Sequence, residues 1–463
     1  MGEENIYDTV IIGAGMSGLA AGIRLAQYDK HVCILEKHTV PGGLNSFYRQ
    51  KGRNFDVGLH AMTNYAPKGV RKGPLSRLLR HLRLSWDELG LIPQLGSAIA
   101  FPGVTLDFSN QFGLLESQIA EKFPSQIDRF RKMTASLVDY DQLGLGESGG
   151  SAKEFVRSFL TDPLLINMRF CPIFFYGGAR ESDMEFGQFC IMFRSIFLEG
   201  FARPYEGVRH ILTKLLKKFK TLGGELRLHS SVKQIVSQSG QVSKLILEDG
   251  TEIRAKQFLS SAGWRETMRL CGLKEPEKEV APGKLSFVET ISVLDRDPKR
   301  LGHNKTILFF NDSESISYRK PDSLVDVRSG VICSPNNFDY AKPLGEGQIR
   351  ITALANFDRW AELGEERYRL EKLRCYDALI GSAVRFIPDF RGNIIENDMF
   401  TPLTVTRYTG KDSGAIYGAA DKKYDGLTPL NNLYVCGTDQ GMVGIVGAIV
   451  SGITIANRYL LAK

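Results

Sequence analysis

The chain has 463 residues, of which 43% are hydrophobic and 24% are charged, and its formal net charge is +7. A chain of this length exceeds one small core, so about two to three domains are expected. The composition is that of an ordinary globular protein and excludes a disordered or fibrous chain. The mild basic excess fits an anionic cofactor, an anionic membrane surface or a solvated surface, and we predict no nucleic-acid partner.

Cysteine usage and hydropathy narrow the compartment. The seven cysteines include no Cys-x-x-Cys pair, which argues against a disulfide framework and a zinc site, so no metal is predicted. The chain does not begin with a basic segment and an apolar run, and it contains no stretch of about 18 apolar residues. We therefore expect a cytoplasmic protein without a spanning helix, and the oligomeric state stays open.

The first predicted elements are a strand, a glycine-rich turn, a helix and a second strand. Tyr7–Ile12 is a short β-branched apolar run, typical of a buried parallel strand. The turn Gly13-Ala-Gly-Met-Ser-Gly18 follows directly, and apolar residues then recur at helical spacing to about Tyr28. A second strand over residues 31–35 ends at Glu36. This order within about 30 residues is typical of a dinucleotide-binding Rossmann unit.

The residues of the turn have separate physical roles in dinucleotide binding. Gly13 permits the tight turn after the strand, and Gly15 lets the backbone approach a pyrophosphate. Gly18 lets the helix pack close to the sheet. The helix N-terminus at Met16 and Ser17 supplies free N–H groups and partial positive charge for the phosphates.

The segment after the second strand favours FAD over NAD. Glu36 lies 21 residues after Gly15, where an acid can bind a ribose diol, and Lys37 belongs to the same predicted site. Pro41 precedes the cofactor candidates Gly42, Gly43, Leu44 and Asn45. The double glycine would let the backbone pass close to the pyrophosphate and ribityl chain of an extended flavin cofactor, with a plain turn as the alternative. The strand-like stretch Phe55–His60 is predicted to bring Gly58, Leu59 and His60 near the flavin.

The chain is predicted to return to this domain twice. Residues 205–208 lead into an amphipathic helix over residues 209–220, after which Val232 is the candidate for a backbone contact to the adenine. Asn432–Cys436 is a strand that is followed by Gly437, Thr438 and Asp439. Residues 440–448 then open the last helix, where Gly444, Ile445 and Val446 would face the pyridine edge of the flavin. Asp439 is expected to hydrogen-bond the ribityl or pyrophosphate region.

These segments together resemble the bacterial-type phytoene desaturase family, which includes carotenoid isomerases and retinol saturase-like enzymes within the amine-oxidase-like superfamily. The resemblance rests on residues 13–22 with Glu36, and on residues 41–43, 55–58, 205–232, 401–418 and 435–452. It implies a non-covalently bound FAD and hydride exchange with flavin N5. It further implies an apolar, polyisoprenoid or carotenoid-like substrate whose C=C bonds are desaturated, saturated or isomerised.

The sequence departs from the family pattern at three places. Leu44 stands where many members carry an arginine, and Gly437-Thr438-Asp439 stands where relatives often have Gly-Asp. A Pro-Gly that many relatives carry inside residues 436–452 is missing. These departures concern the substrate expectation more than the flavin expectation.

The predicted architecture is α/β, with a Rossmann-like FAD-binding domain on a parallel sheet. The second domain is α+β, with a mixed or antiparallel sheet and a helical cap, and it binds the substrate. We assign residues 1–70, 200–272 and 416–463 to the FAD-binding domain, and residues 71–199 and 273–415 to the substrate domain. Strands of the substrate domain are predicted at residues 285–294, 305–311, 315–318 and 348–356.

Two helical segments leave alternatives open. Leu75–Leu84 alternates leucine with arginine at helical spacing, so it either lies on an anionic membrane or has one core face and one wet face. Residues 164–201 concentrate phenylalanine beside methionine, and they either line a tunnel for a long apolar substrate or form a helical core. Tunnel and peripheral membrane contact would occur together, because apolar lipids reside in membranes.

The catalytic acid or base stays unidentified at this level. His60 is the histidine nearest in sequence to a flavin segment, so it is the catalytic candidate, while Asp439 and Arg407 are candidates for cofactor contact. Two other functions remain besides a lipid oxidoreductase. One is an amine-oxidase-like enzyme acting on a small amine, and the other is a flavin-bearing binding protein without turnover.

Overall fold

The computed structural model describes residues 6–58, 60–138, 149–273 and 280–462. The strands are β1 (Tyr7–Ile12), β2 (Val32–Leu35), β3 (Phe47–Gln50), β4 (Arg53–Asp56), β5 (Leu91–Pro93), β6 (Ser97–Phe101), β7 (Val104–Phe108), β8 (Ala202–Pro204), β9 (Glu225–Arg227), β10 (Val232–Gln238), β11 (Gln241–Leu247), β12 (Glu252–Ile253), β13 (Ala255–Ser260), β14 (Ser286–Leu294), β15 (Ile307–Asn311), β16 (Ser329–Cys333), β17 (Gly347–Ala355), β18 (Ile394–Phe400) and β19 (Leu433–Val435). The helices are α1 (Met16–Ala26), α2 (Pro74–Leu82), α3 (Trp86–Leu89), α4 (Phe112–Lys122), α5 (Ile127–Val138), α6 (Ala152–Phe159), α7 (Pro163–Gly177), α8 (Phe186–Phe193), α9 (Val208–Thr221), α10 (Trp264–Leu270), α11 (Phe357–Ala361), α12 (Glu365–Ala383), α13 (Pro402–Thr409) and α14 (Gly444–Ile455).

A five-stranded sheet in the order β19-β13-β1-β2-β9 carries the amino-terminal motif. All of its neighbouring strands run parallel. The central strand β1 is apolar on both faces because helices cover one face and the β10–β12 sheet covers the other. The predicted Rossmann-like parallel sheet is confirmed.

The helices above the parallel sheet approach one another closely because glycines face the contacts. A Cβ at Gly22 of α1 would lie 2.8 Å from the Ile34 side chain, and one at Gly452 of α14 would lie 2.0 Å from the Ser17 carbonyl oxygen. Such spacing leaves no room for a side chain. It brings the N-termini of α1 and α14 to the same side of the sheet.

A seven-stranded mixed sheet in the order β18-β14-β17-β16-β15-β6-β7 forms the second domain. The pair β15–β6 is parallel and the other pairs are antiparallel. One face packs against α7 and α8, and the other packs against α12. The predicted mixed or antiparallel sheet with helices is therefore confirmed, and it also includes β6 and β7, which lie in residues 71–199 where we predicted no strand.

The strand predicted at residues 315–318 is wrong. The Asn311 side-chain amide donates to the carbonyl oxygens of Ser313 at 2.5 Å and Ser315 at 3.3 Å, which curls the chain away from the sheet. Tyr318 then stacks on Phe174 with ring centroids 4.7 Å apart. Local side-chain capture and aromatic packing thus replace strand pairing here.

Helix α2 has one apolar and one basic face. Leu75, Leu78, Leu79 and Leu82 are buried in the core that surrounds α1 and α14. The arginine side chains of Arg77 and Arg80 are exposed. The leucines of α2 thus pack with the parallel-sheet core although they lie beyond residue 70, and the proposed domain limits stay predictions. Within the described residues, no helix is long and apolar enough to cross a membrane.

Candidate active site

A cavity of about 680 Å³ lies between the parallel sheet and the mixed sheet. Its volume falls in the range of small-molecule and cofactor sites, which is about 300–1,000 Å³. The predicted cofactor residues that line it are Gly13, Gly15, Met16, Ser17, Glu36, Lys37, Gly42, Gly43, Leu44, Asn45, Gly58, His60, Val232, Gly437, Gly444 and Ile445. Segments distant in sequence therefore meet at one cavity.

The two glycine-rich loops are held against each other. The Gly42 N–H donates to the Ala14 carbonyl oxygen at 2.9 Å, and Gly13 and Gly42 adopt φ angles of +94° and +117° that favour glycine. A Cβ built on Gly15 would meet nothing within 4 Å. The backbone at Gly15 is therefore open to the cavity, which fits the close approach of a cofactor pyrophosphate.

Two helix N-termini face this cavity. Neither α1 nor α14 has a side-chain cap or an acidic residue in its first turn. Gly15, Met16 and Ser17 of one terminus and Gly444 and Ile445 of the other line the same space. Uncapped N–H groups and the helix dipoles favour negative charge there, so these residues fit the pyrophosphate and the pyridine edge of FAD.

Glu36 is buried beside the glycine turn. One of its carboxylate oxygens accepts from the Ala14 N–H at 2.9 Å and the other accepts from the His38 N–H at 3.0 Å. Ser230, Ser231 and Val232 complete this end of the cavity. The arrangement fits the adenosine half of a dinucleotide, with Glu36 also fixing the turn.

The sequence predicts that Asp439 contacts the cofactor, but Asp439 is not among the residues that line the cavity. Asp439 is buried, and its carboxylate accepts from the N–H groups of Trp264 at 2.7 Å and Ala419 at 2.9 Å. Burial raises the pKa of this carboxyl, but the neighbouring Lys411 and Lys422 have a larger opposite effect and lower its pKa to about 2. The Lys411 ammonium lies 3.5 Å from this carboxylate. Lys411, rather than Asp439, lines the cavity.

Four other predicted residues also need comment. Gly18 packs inside the motif, where a Cβ would lie 2.1 Å from the Gly13 carbonyl oxygen, and Val446 is buried in the apolar core. Neither is among the cavity-lining residues. The Arg407 carbonyl oxygen accepts from Lys37 Nζ at 3.5 Å, while its guanidinium lies over the Tyr408 ring. Leu59 lies outside the described residues.

The opposite wall carries a polar cluster that includes His60. Its Nε2 lies 3.1 Å from Glu289 Oε2 and 3.1 Å from Thr352 Oγ1. Glu289 on β14 and Thr352 on β17 are paired in register, so both side chains project from the same place on the sheet. Arg350 forms an ion pair with Glu289 on its other side. His60, Glu289 and Thr352 all line the cavity.

Arg350 also binds backbone that lies shortly before His60 in the chain. Its Nη2 donates to the carbonyl oxygens of Asp56 at 3.1 Å and Val57 at 2.8 Å. Asp56 in turn forms a 2.5 Å ion pair with the buried Arg203. Burial raises the pKa of Glu289, but the opposite effects of Arg350 and then His60 are together larger. The pKa is therefore lowered overall, and the carboxylate stays charged.

Sequence reasoning missed Glu289, Arg350 and Thr352. A signal was present, because Glu289 is the one charged residue of the apolar run that forms β14, and a buried carboxylate requires a partner. Arg350 lies in a strand of similar character. Their pairing depends on the antiparallel register of β14 and β17, which the chain order alone does not reveal.

Another part of the lining is aromatic and apolar. Phe175, Tyr176, Met192, Phe287 and Tyr417 face the cavity. Most aromatic residues of the segment 164–201 pack in the interior instead, among them Phe170, Phe174, Phe189, Phe193 and Phe197. The helical-core interpretation thus accounts for most of this segment, and only a few of its side chains form the apolar part of the cavity lining.

Comparison with known proteins found similarity both to the amino-terminal part of the chain and to nearly its whole length. A family model described as an NAD(P)-binding Rossmann-like domain matches residues 11–82. Prolycopene isomerase from Daucus carota is 23% identical over 505 residues, which cover 99% of this chain and 80% of that protein. All-trans-retinol 13,14-reductase from Danio rerio is 23% identical over 540 residues, which cover 98% of this chain and 86% of that protein.

The predicted resemblance to the phytoene desaturase, carotenoid isomerase and retinol saturase group is confirmed. The relatives also support an FAD-dependent oxidoreductase. Among solved structures, putrescine oxidase bound to putrescine aligns with a TM-score of 0.62 and 15% identity, covering 99% of each chain. That likeness concerns the amine-oxidase-type fold alone.

Proposed function

We propose that this flavoenzyme desaturates, saturates or isomerises C=C bonds of a polyisoprenoid or carotenoid-like apolar substrate. The observation that carries the proposal is that one cavity combines two kinds of lining. One part of the lining has uncapped helix N-termini and open glycine backbone, and another part has aromatic and apolar side chains. A charged, extended cofactor and an apolar substrate would meet between them.

The cofactor proposal assigns a place to each half of FAD, held non-covalently. Glu36 and Val232 would hold the adenosine, and Gly15 with Gly43 would hold the pyrophosphate. Gly444 and Ile445 would face the pyridine edge of the flavin. When bound, the flavin supplies or accepts the hydride, and these residues orient it and exclude water.

The substrate proposal draws on the apolar part of the cavity lining. Phe175, Met192 and Phe287 offer surface to a hydrocarbon chain without hydrogen bonds to satisfy. The relatives named above act on prolycopene and retinol, which are also extended and apolar. Both observations favour a polyene over a small polar molecule.

An amine-oxidase-like activity is the second candidate, because Glu289 and aromatic rings lie together in the cavity wall. The Glu289 carboxylate already interacts with Arg350 and His60. A substrate ammonium would therefore have to compete for it. A flavin-bearing binding protein without turnover is the third candidate.

We further propose that the protein is cytoplasmic and contacts the membrane surface through the exposed basic face of α2. Arg77 and Arg80 would face anionic lipid headgroups. Flotation with anionic vesicles at low salt tests this contact, and the variant Arg77→Glu/Arg80→Glu is the matched comparison. Equal flotation of both proteins, or no flotation of the unmodified protein, contradicts it.

The decisive experiment for the activity is an absorbance spectrum followed by anaerobic mixing with polyenes and with amines. Flavin bands near ~450 nm that heat releases, and that bleach on addition of a polyene, support the proposal. Bleaching only by an amine would transfer the proposal to the second candidate. Bound flavin that no candidate reduces would favour the third only if, in addition, no polyene reoxidises the reduced flavin or is isomerised by the protein. Absence of flavin after reconstitution would refute the cofactor assignment.

A further inference from the structure

We propose that His60 transfers a proton to or from the substrate and that Glu289 positions its imidazole. The inference rests on the proposed function, because it assigns a residue to the exchange of hydrogen at a C=C bond. His60 lines the same cavity as the uncapped N-termini of α1 and α14. Its neighbours give its two ring nitrogens different tasks.

The hydrogen bonds around His60 decide which nitrogen is available. A charged carboxylate only accepts hydrogen bonds, so the contact of 3.1 Å between Nε2 and Glu289 Oε2 requires a proton on Nε2. Among the described residues, the hydrogen bonds of the His60 ring are made by Nε2 and none by Nδ1, and His60 lines the cavity. Nδ1 is therefore the nitrogen that can release or accept a proton.

The cluster is built to keep this arrangement. Arg350 holds the Glu289 carboxylate from the side opposite His60, and Thr352 contacts Nε2 at 3.1 Å. Arg350 also donates to the carbonyl oxygens of residues 56 and 57, so one guanidinium binds both the carboxylate and backbone that lies shortly before His60 in the chain. Groups fixed in this way are oriented before the substrate arrives.

The proposed step balances hydrogen and electrons. In the saturating direction, a hydride from the reduced cofactor would form one C–H bond and the Nδ1 proton of the doubly protonated imidazolium would form the other, as the π bond breaks. The cofactor would be oxidised by two electrons, and the ring, left neutral with its proton on Nε2, would regain the Nδ1 proton from solvent. In the desaturating direction, the oxidised cofactor would accept the hydride and Nδ1 of the neutral ring would accept the proton. The cluster therefore favours saturation or desaturation over an isomerisation that leaves every C–H bond in place.

The first test measures the imidazole without any substrate. The full chain is labelled with ¹⁵N-histidine, and the His60 signals are assigned by their loss in His60→Gln. Long-range ¹H–¹⁵N correlation spectra are expected to show the neutral ring protonated on Nε2. A neutral ring protonated on Nδ1 would overturn the proposal, because the carboxylate would then not orient the ring.

The second test compares His60→Gln with His81→Gln, a control on α2 outside the cavity lining. Both variants should retain FAD, and His60→Gln should slow anaerobic flavin bleaching by a polyene by roughly 10²–10⁴-fold with little change in substrate affinity. Glu289→Gln should slow the same step without abolishing it, since the ring remains but loses its charged partner. His81→Gln should react like the unmodified protein.

Two outcomes separate this inference from the proposed function. If a polyene bleaches the flavin of His60→Gln at the unmodified rate, the role of His60 is refuted while the proposed function stands. If no polyene bleaches the oxidised flavin, reoxidises the reduced flavin or is isomerised by the unmodified protein, the proposed function fails, and the His60 spectrum alone decides whether the imidazole and carboxylate form the inferred pair.

Discussion

At the residue scale, glycine geometry and buried charge decide which side chains reach the cavity. Gly15 and Gly18 belong to one short motif, yet Gly15 opens to the cavity while Gly18 packs against backbone. Asp439 and Lys411 differ in a similar way. The Asp439 carboxylate accepts hydrogen bonds from buried N–H groups, and only Lys411 lines the cavity. Neighbours in a motif therefore serve different purposes.

The two glycines give a paired prediction. Gly15→Ala should weaken FAD binding by about tenfold or more, because its methyl group projects where the cofactor backbone contact is proposed. The same change should alter the unfolding free energy of the FAD-free protein by less than about 0.5 kcal/mol, since its Cβ would meet nothing within 4 Å. Fluorescence titration with FAD and urea unfolding measure the two quantities.

Gly18→Ala is the matched control for this prediction. Its Cβ would lie 2.1 Å from the Gly13 carbonyl oxygen, so the unfolding free energy should fall by about 1–3 kcal/mol. Equal stability losses for the two variants would contradict the distinction between an open and a packed glycine.

His303 gives a prediction of pH dependence. It is buried, and burial followed by the charge of Lys305 lowers its pKa from 6.5 to about 4. Between these pH values the unfolded chain binds more protons at His303 than the folded chain does. The unfolding free energy should therefore not be reduced by His303 above pH 6.5, and it should fall as the pH drops toward 4. Up to about 3 kcal/mol of this loss is expected from His303 alone.

Urea unfolding of the unmodified protein and of His303→Gln at pH 7.5 and pH 4.5 checks this expectation. The first pH lies about one unit above the window between the two pKa values, and the second lies near its lower end. The difference in unfolding free energy between the two conditions should be smaller in the variant. An identical difference in both proteins would show that other groups cause the acid sensitivity.

At the element scale, the closeness of α1 and α14 brings two helix N-termini to one cavity. Helix α2 supports this arrangement, because its leucines pack with residues of α14 and α1 in a shared core. Its arginines are left on the outer face. The amphipathic pattern of α2 thus has a structural explanation, and its basic face remains available for the proposed membrane contact.

Leu78 tests the contribution of α2. Its side chain is 2% exposed, so Leu78→Ala should lower the unfolding free energy by about 2–5 kcal/mol through lost apolar contact and a cavity. Arg77→Ala, one position earlier on the exposed face, should change it by less than about 0.5 kcal/mol. Urea unfolding of both variants makes the comparison, and similar losses would contradict a single core face.

At the scale of the whole molecule, the cavity is formed by two sheets of different construction. The parallel sheet contributes backbone N–H groups and glycines, whereas the mixed sheet contributes the His60 partners and aromatic rings. A cofactor that contacts both sheets would link their stabilities. Binding to the folded chain alone should then stabilise the protein as one unit.

FAD should therefore raise the unfolding free energy in a concentration-dependent way. Free FAD at about 100 times its dissociation constant should add about 2.7 kcal/mol. Thermal unfolding over a series of FAD concentrations measures this effect, with riboflavin as the comparison ligand that lacks the adenosine and pyrophosphate. A melting temperature that does not change with FAD would contradict the proposed binding mode.

The local signals in the chain were sufficient for the parallel sheet and its turn. Tyr7–Ile12, the three glycines and Glu36 determine the Rossmann unit because short-range periodicity and glycine conformations act within about 30 residues. Most predicted cofactor residues line one cavity for the same reason. The strand predicted at residues 315–318 failed where the Asn311 side chain competed for the backbone.

Only the tertiary structure decided the chemistry of the opposite wall. His60 was visible as a candidate, but its partners Glu289 and Thr352 are more than 200 residues away in the chain, with separations of 229 and 292 residues. Their meeting depends on the register of β14 and β17 and on how that sheet faces the first domain. Asp439 turned inward for a similar reason, since the distant Trp264 and Ala419 supplied its hydrogen bonds. Composition and periodicity describe what each segment prefers, whereas long-range packing determines which polar groups satisfy one another.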